Sequence, residues 1–77
     1  MNTRVRDVMA RTFRVAPESI SAESTPADVP GWDSQGHLEL VMALEAAFGI
    51  EFELREVTQM RSQAEIEAVL RRHAVEV

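Results

Sequence analysis

A loop that turns into a long helix is the feature that most constrains this chain. Helix-breaking residues crowd the segment before position 32: Pro26, Pro30 and Gly31. Proline lacks the backbone N–H that a helix needs and glycine weakens helices, so no continuous helix crosses this segment. Residues 38–48 instead read Leu-Glu-Leu-Val-Met-Ala-Leu-Glu-Ala-Ala-Phe, with apolar side chains at helical spacing. The sequence therefore predicts a helix over residues 34–48 that begins at the pair Asp33-Ser34.

This predicted helix has two faces of different character. The face expected to pack in the core comprises Leu40, Leu44, Ala47 and Phe48, with Val41 beside them. The other face mixes apolar and acidic residues: Leu38, Glu39, Met42, Glu45 and Ala46. It is either peripheral core or a contact surface for partner proteins, and we favour the contact surface because methionine is adaptable and charges guide approach. Gly49 is expected to end the helix in the left-handed conformation, with Ile50 folding back onto it.

A shorter apolar repeat begins the chain. The residues that recur at spacings of three and four are Val5, Val8, Met9 and Phe13. They predict a first helix over residues 3–15, capped by Asn2 or Thr3. Residues 16–32 then form a loop that is unusually long for so small a domain.

Three apolar residues interrupt the polar loop: Ile20, Val29 and Trp32. We expect them to enter the core and hold the loop against the helices. Trp32 has a second possible place, partly exposed beside Ser34, and we favour the anchoring role.

The C-terminal third is predicted to hold two further helices. The spacing of apolar residues favours a short helix over residues 54–58, with Phe52 in the core before it. Residues 62–65 read Ser-Gln-Ala-Glu, a capping-box pattern that starts the last helix. Residues 74–77 are expected to fray. The predicted fold class is all-α, a four-helix bundle of three main helices and one short helix with a long first loop.

The composition limits the possible functions. Seventy-seven residues predict a single domain over residues 1–77. Thirteen Asp and Glu residues against eight Lys and Arg residues leave a net charge of −5, which argues against nucleic-acid binding because phosphate contacts need a basic face. The acidic residues surround Ser34 and are expected to steer basic partner surfaces toward it; a solvated acidic face that only maintains solubility is the alternative.

Cysteine and long apolar runs are both missing from the sequence. Without cysteine the chain has no disulfide framework, no cysteine metal site and no thiol of its own. No apolar signal segment begins it and no run is long enough to span a bilayer. We therefore expect no membrane insertion, a cytoplasmic location by default and a monomer by default.

Ser34 presents a hydroxyl at a predicted helix start, beside a carboxylate. One interpretation is an ordinary N-cap, for which Asp33 competes. The other is attachment of a phosphate-linked group, which the unpaired N–H groups and positive dipole of a helix start favour. Gly36 is either a tolerated weak helix residue or a means of keeping bulk away from such a group.

Enzymatic activity is not expected. His37 and Glu39 flank Ser34 and are predicted to lie exposed on the helix surface. A Ser/His catalytic pair needs a positioned base, an orienting acid and an oxyanion hole, for which so short a chain shows no pocket-forming sequence. The two histidines, His37 and His73, are far apart in sequence, and no metal-ligand spacing is present.

The stretch Asp33-Ser34 followed by Leu40-Val41-Met42-Ala43-Leu44-Glu45-Ala46-Ala47-Phe48 resembles the acyl carrier protein family, including its peptidyl and aryl carriers. The resemblance continues through Gly49-Ile50-Glu51-Phe52 to the final helix. It implies the same four-helix fold and a 4'-phosphopantetheine group, donated by coenzyme A, on Ser34. Asp33 would then assist the modifying transferase. Gln35 departs from the apolar residue that the family usually has after the serine, which bears on partner recognition.

The resemblance also implies a set of partners. These are a phosphopantetheinyl transferase, an acyl- or aminoacyl-loading ligase or transferase, and downstream synthases or transferases with basic docking surfaces. The residues predicted to contact them are Gln35, Leu38, Glu39, Met42 and Glu45. Together these features predict a carrier of acyl or aminoacyl thioesters in a specialised lipid, polyketide or peptide-type pathway. The alternative is an unmodified acidic helical module that docks a basic protein.

Overall fold

The computed structural model describes residues 3–75 and holds four α-helices and no strand within them. Helix α1 spans Arg4–Phe13, α2 spans Ser34–Phe48, α3 spans Leu54–Gln59 and α4 spans Gln63–Arg72. The all-α prediction with three main helices and one short one is confirmed, and α2 has the predicted bounds. The other helices differ from the predicted bounds by one or two residues at an end. A 3-10 turn at Pro17–Ser19 was not predicted.

Capping residues bound the start of α4 and the end of α2 where the sequence indicated, but not the start of α1. Ser62 Oγ accepts a hydrogen bond from Glu65 N at 3.1 Å, so the N-cap of α4 is confirmed. Gly49 adopts φ +66°, and the N–H groups of Gly49 and Ile50 both donate to the Glu45 carbonyl, which confirms the left-handed end of α2. Thr3 occupies the N-cap position of α1, but its hydroxyl donates to the Asp7 carboxylate instead of capping the helix. The alternative cap, Asn2, lies outside the described residues.

The core lies where α1, α2 and α4 meet. Its fully buried large side chains come from all three helices and from the residue after α3: Met9, Leu40, Leu44, Met60, Ile66 and Leu70. Two predictions for α2 were too generous, since Ala47 is exposed and Phe48 is only half-buried. The Phe48 ring lies at the edge of the core under the Arg4 guanidinium, 4.5 Å from the ring centroid. Phe52 is also half-buried and packs against the core from outside.

The long loop is held against the helices by its apolar residues. Ile20, Val29 and Trp32 are all buried, which confirms the prediction and the anchoring role of Trp32. The Trp32 ring stacks on Phe13 of α1 with 5.6 Å between centroids. Ala64 N donates to the Ala22 carbonyl, so the loop is also bonded to α4.

The C-terminal segment differs from its prediction. Residues 74–77 were expected to fray, yet Ala74 takes a left-handed turn at φ +64° and Val75 N donates to the Leu70 carbonyl. The turn brings Val75 back against the core. Glu76 and Val77 lie outside the described residues. No helix in residues 3–75 is both long and apolar enough to cross a membrane.

Candidate functional site

Ser34 is the first residue of α2, and its side chain is exposed. The N-cap is Asp33, whose Oδ1 accepts from Gly36 N at 2.8 Å. The interpretation of Ser34 as the cap is therefore wrong, because Asp33 occupies that position. The Ser34 hydroxyl is left without a hydrogen-bond partner within residues 3–75.

At Gly36 the loop backbone lies so close to α2 that there is no room for a side chain. A Cβ atom on Gly36 would overlap the Gly31 carbonyl oxygen and would lie 3.3 Å from Asp33 Oδ1. Gly31 itself has φ +87°, a conformation that favours glycine. The two glycines thus allow the loop backbone to rest against the first turn of α2. Gly36 is more than a tolerated weak helix residue, because the contact requires it.

His37 joins the loop to α3. Trp32 Nε1 donates to His37 Nδ1 at 2.9 Å, and His37 Nε2 donates to the Val57 carbonyl at 2.7 Å. The two rings also stack, with centroids 6.2 Å apart and planes inclined by 19°. The prediction that His37 lies free on the helix surface is wrong: the side chain is half-buried because it fills the space between the buried indole and α3.

A cleft of about 360 Å³ opens beside Ser34. It is lined by Pro26, Trp32, Asp33, Ser34, His37, Val57, Thr58 and Arg61. Its charged groups are the Asp33 carboxylate and the Arg61 guanidinium, and Arg61 has no side-chain partner within residues 3–75. His37 cannot serve there as a general base toward Ser34, since neither ring nitrogen has a lone pair to spare.

Comparison with known proteins identifies the family. Residues 3–70 match the family model described as "Phosphopantetheine attachment site". The chain belongs to the acyl carrier protein family. The start of α2 has room for such a phosphate-linked group. The Ser34 hydroxyl is exposed, has no hydrogen-bond partner among residues 3–75 and lies beside the cleft.

Several acyl carrier proteins resemble the chain over much of its length. One from Campylobacter hominis is 47% identical over 61% of this chain and 60% of its own length, so that match spans less than two thirds of the relative. Acyl carrier protein AcpXL of Brucella melitensis is 33% identical over 82% of this chain and 68% of its own length. An acyl carrier protein of Syntrophobacter fumaroxidans is 35% identical over 86% of this chain and 82% of its own length.

Membership in the family establishes the general class of function. Acyl carrier proteins are carriers and not catalysts. The group that is attached covalently to this domain is 4'-phosphopantetheine. They work with a phosphopantetheinyl transferase and with biosynthetic enzymes. The family therefore favours the carrier interpretation over an unmodified acidic module.

The residues predicted to meet partners are distributed along the outer face of α2. Gln35 and Glu39 are exposed, and Leu38 and Met42 have 60% and 69% of their surface accessible, too much for peripheral core. Glu45 is different, since it is half-buried and its Oε2 accepts from Phe52 N at 2.9 Å. Part of its role in this carrier-family chain is thus to hold the segment after α2.

Sequence reasoning missed the polar contacts of α3. His73 Nε2 donates to both carboxylate oxygens of Glu56 at 3.0 Å, and Glu53 N donates to Glu56 Oε1 at 2.9 Å. The backbone hydrogen bond from Glu53, aided by the hydrogen bond and charge of His73, lowers the pKa of Glu56 below its ordinary value of 4.5. The Glu-x-x-Glu capping pattern at 53–56 could be identified in the sequence, but the contact of Glu56 with His73, the residue after α4, could not.

The exposure of Leu54 was also not predicted from the sequence, which indicated only that this residue belongs to a short helix. It begins α3 with 81% of its surface accessible, more than Leu38 or Met42. Its apolar character alone gave no sign of this, because a six-residue helix has too few positions to define a buried face.

Proposed function

We propose that Ser34 carries the 4'-phosphopantetheine arm and that the protein shuttles acyl or aminoacyl groups as thioesters on it. The observation that carries this assignment is the free hydroxyl of Ser34 at the exposed start of α2. The chain has no cysteine, so the thiol of the thioester comes from the arm.

The other hydroxyl side chains support the assignment by elimination. Each of the remaining four serines and four threonines takes part in a hydrogen bond: Ser19, Ser21, Ser24, Ser62, Thr3, Thr12, Thr25 and Thr58. Modification of any of them would break an existing contact, and Ser24 and Ser62 are also buried. Ser34 is the residue whose modification costs no described hydrogen bond.

The surroundings of Ser34 suit a phosphodiester. Ser34 Oγ gives up its proton and bonds to the phosphorus that carries pantetheine, while the P–O bond between the two linked phosphates of coenzyme A breaks and 3',5'-ADP leaves with the bridging oxygen; the proton is released to solvent or to a base of the transferase. The first-turn N–H groups of α2 favour the resulting negative charge, and Arg61 brings a positive charge to the same cleft. Asp33 is exposed and uses Oδ1 for the cap, which leaves its second oxygen for the metal of a transferase.

The partners implied by this function would dock on α2. The helix carries no lysine or arginine, and it exposes Glu39 between the apolar side chains of Leu38 and Met42. Such a surface fits enzymes with basic docking surfaces around an apolar contact, including a transferase, a loading enzyme and downstream synthases. Gln35, next to Ser34, adds a polar group where the family usually has an apolar one.

Two observations favour a specialised pathway over bulk fatty-acid synthesis. Gln35 changes the surface directly beside the attachment residue. Relatives named AcpXL are also among the proteins that match. Complementation of a fatty-acid carrier deletion by this chain would argue against the specialised role.

Intact mass spectrometry tests the attachment directly. The purified chain is incubated with coenzyme A and a broad-specificity phosphopantetheinyl transferase, beside Ser34→Ala and the matched control Ser19→Ala. We expect a gain of one phosphopantetheinyl unit in the wild type and in Ser19→Ala, and none in Ser34→Ala. A gain that persists in Ser34→Ala assigns the arm to another hydroxyl, and a folded wild type that gains nothing supports the unmodified module.

A further inference from the structure

Arg61 lies just after α3 and is the only arginine among the residues that line the cleft beside Ser34. Its side chain is exposed and has no ion pair within residues 3–75. The other arginines that follow α2 each have a partner: Glu53 for Arg55, Glu67 for Arg71 and Gln59 for Arg72. The guanidinium of Arg61 is therefore the one in this part of the chain that is available to a new group.

The backbone on both sides of Arg61 is fixed. Met60 is fully buried in the core, and Ser62 is buried as the N-cap of α4. The N–H of Arg61 itself donates to the Gln59 carbonyl at 3.0 Å. The base of the side chain is thus held at the edge of the cleft, and only the side chain has to find its partner.

A phosphate on Ser34 would bring negative charge to a place that already has some. The Asp33 carboxylate is the neighbouring side chain and lines the same cleft. Its Oδ1 accepts a hydrogen bond from Gly36 N but has no cation beside it among the described residues. Because like charges repel, a cation in the cleft stabilises the modified state. A guanidinium suits this role, since it stays charged and can donate two parallel hydrogen bonds to phosphate oxygens.

The cleft and the outer face of α2 are different surfaces. The exposed side chains of Leu38 and Met42 belong to the outer face and are not among the residues that line the cleft. The wall of the cleft opposite α2 comes from Val57, Thr58 and Arg61. A phosphate held at Arg61 therefore stays on the α3 side of Ser34 and leaves the apolar contacts of α2 uncovered.

We propose that Arg61 is a positioning residue that binds the phosphate of the arm on Ser34 and holds it in the cleft. This inference rests on the proposed attachment at Ser34. It assigns Arg61 a role only after modification, so the contact is absent from the unmodified protein and forms when the arm is added.

NMR of the arginine side chains observes the contact directly. Spectra of the Nε–H groups are recorded before and after modification by the transferase with coenzyme A, and Arg61→Gln identifies the Arg61 signal by its loss. We expect the Arg61 signal to shift and to exchange more slowly with water in the modified protein, while the signal of Arg55 stays in place. An Arg61 signal that is the same in both forms, or an equal shift of Arg55, would overturn the proposal.

Thermal denaturation measures how much the contact stabilises the modified protein. The change in melting temperature on modification is compared between the wild type, Arg61→Gln and the matched control Arg55→Gln, which removes the same charge from an exposed residue outside the cleft. We expect this change to be about 2–4 °C more favourable in the wild type than in Arg61→Gln, the size of an exposed ion pair. The advantage should shrink in 1 M sodium chloride. No advantage over Arg61→Gln, or the same loss in Arg55→Gln, contradicts the contact.

A chemical modification tests Arg61 without the transferase. The chain has no cysteine, so Ser34→Cys supplies a unique thiol. Alkylation with 2-bromoethylphosphonate adds an anionic group there, and iodoacetamide adds a neutral one. We expect the Arg61 Nε–H signal to shift with the phosphonate alone, and an identical signal in the two adducts overturns the inference. A wild type that no transferase modifies refutes the role of Ser34 instead, and the two adducts then decide the anion contact of Arg61 alone.

Discussion

Replacement of Gly36 by alanine tests the close packing of the loop on α2. Gly36 sits in the first turn of the helix, where alanine is intrinsically favoured by about 1 kcal/mol. The added Cβ, however, would overlap the Gly31 carbonyl oxygen and approach the carbonyl carbon to 3.1 Å. The obstacle is backbone and not the end of a flexible side chain, so one element has to move.

The magnitude follows from these two opposing effects. An overpacked site costs about 1–3 kcal/mol. We expect the upper part of that range, because the loop next to Gly31 is fixed by the buried Trp32 and the Asp33 cap. After the helix-propensity gain is subtracted, Gly36→Ala should lower the free energy of unfolding by about 1–2 kcal/mol. For a domain of this size each kcal/mol lowers the melting temperature by about 4–8 °C.

Thermal and urea denaturation followed by circular dichroism would measure this loss. Two control variants separate its causes. Ala46→Gly, at an exposed position of α2, measures helix propensity alone and should cost about 1 kcal/mol. Gly49→Ala meets no atom within 4 Å but has φ +66°, so it measures conformational strain alone. If Gly36→Ala is as stable as the wild type or more stable, propensity outweighs the contact and the loop does not rest on α2.

Three further predictions concern stability. Because the Glu53 N–H and His73 lower the pKa of Glu56 on folding, the resulting stabilisation is present above the ordinary value of 4.5 and is lost as the pH falls below it. Glu56→Gln should therefore flatten the acid decline of the urea midpoint, and an unchanged slope would contradict the lowered pKa of Glu56. Asp33→Ala should lower the free energy of unfolding by about 1 kcal/mol, measured by thermal denaturation, whereas Asp33→Asn should keep the cap. Equal losses of stability in the two variants would exclude capping by Asp33. Leu38→Ala should change the free energy of unfolding by less than about 0.5 kcal/mol, against about 2–5 kcal/mol for the buried Leu40→Ala, and similar losses would place Leu38 in the core.

The proposed attachment residue, Ser34, could be predicted because its evidence is local. The break before Trp32, the Asp33-Ser34 pair and the apolar repeat after it all lie within a short stretch of chain. A helix start, its cap and its dipole depend on neighbours in sequence, so the position of Ser34 followed from them. These local features did not show whether Ser34 or Asp33 is the N-cap, because both residue types cap helices well.

His37 shows why the rest of the site could not be predicted. Its partner Trp32 is five residues away, but its partner Val57 is twenty residues away, and only the packing of α3 brings that carbonyl within reach. The same holds for Glu56 and His73, seventeen residues apart. Periodicity describes which face of a helix is apolar and says nothing about which polar groups meet across helices.

The sequence by itself determined the helices, their ends, the anchoring of the long loop and the residue most suited to modification. These properties depend on apolar spacing, proline, glycine and capping residues, which act over a few positions. The tertiary structure alone decided that Gly36 has to be glycine, that His37 is a bridge and not a surface residue, and that Arg61 lines the cleft beside Ser34. Each of these depends on how closely the loop, α2 and the region of α3 pack against one another, and that packing exists only once the common core has formed.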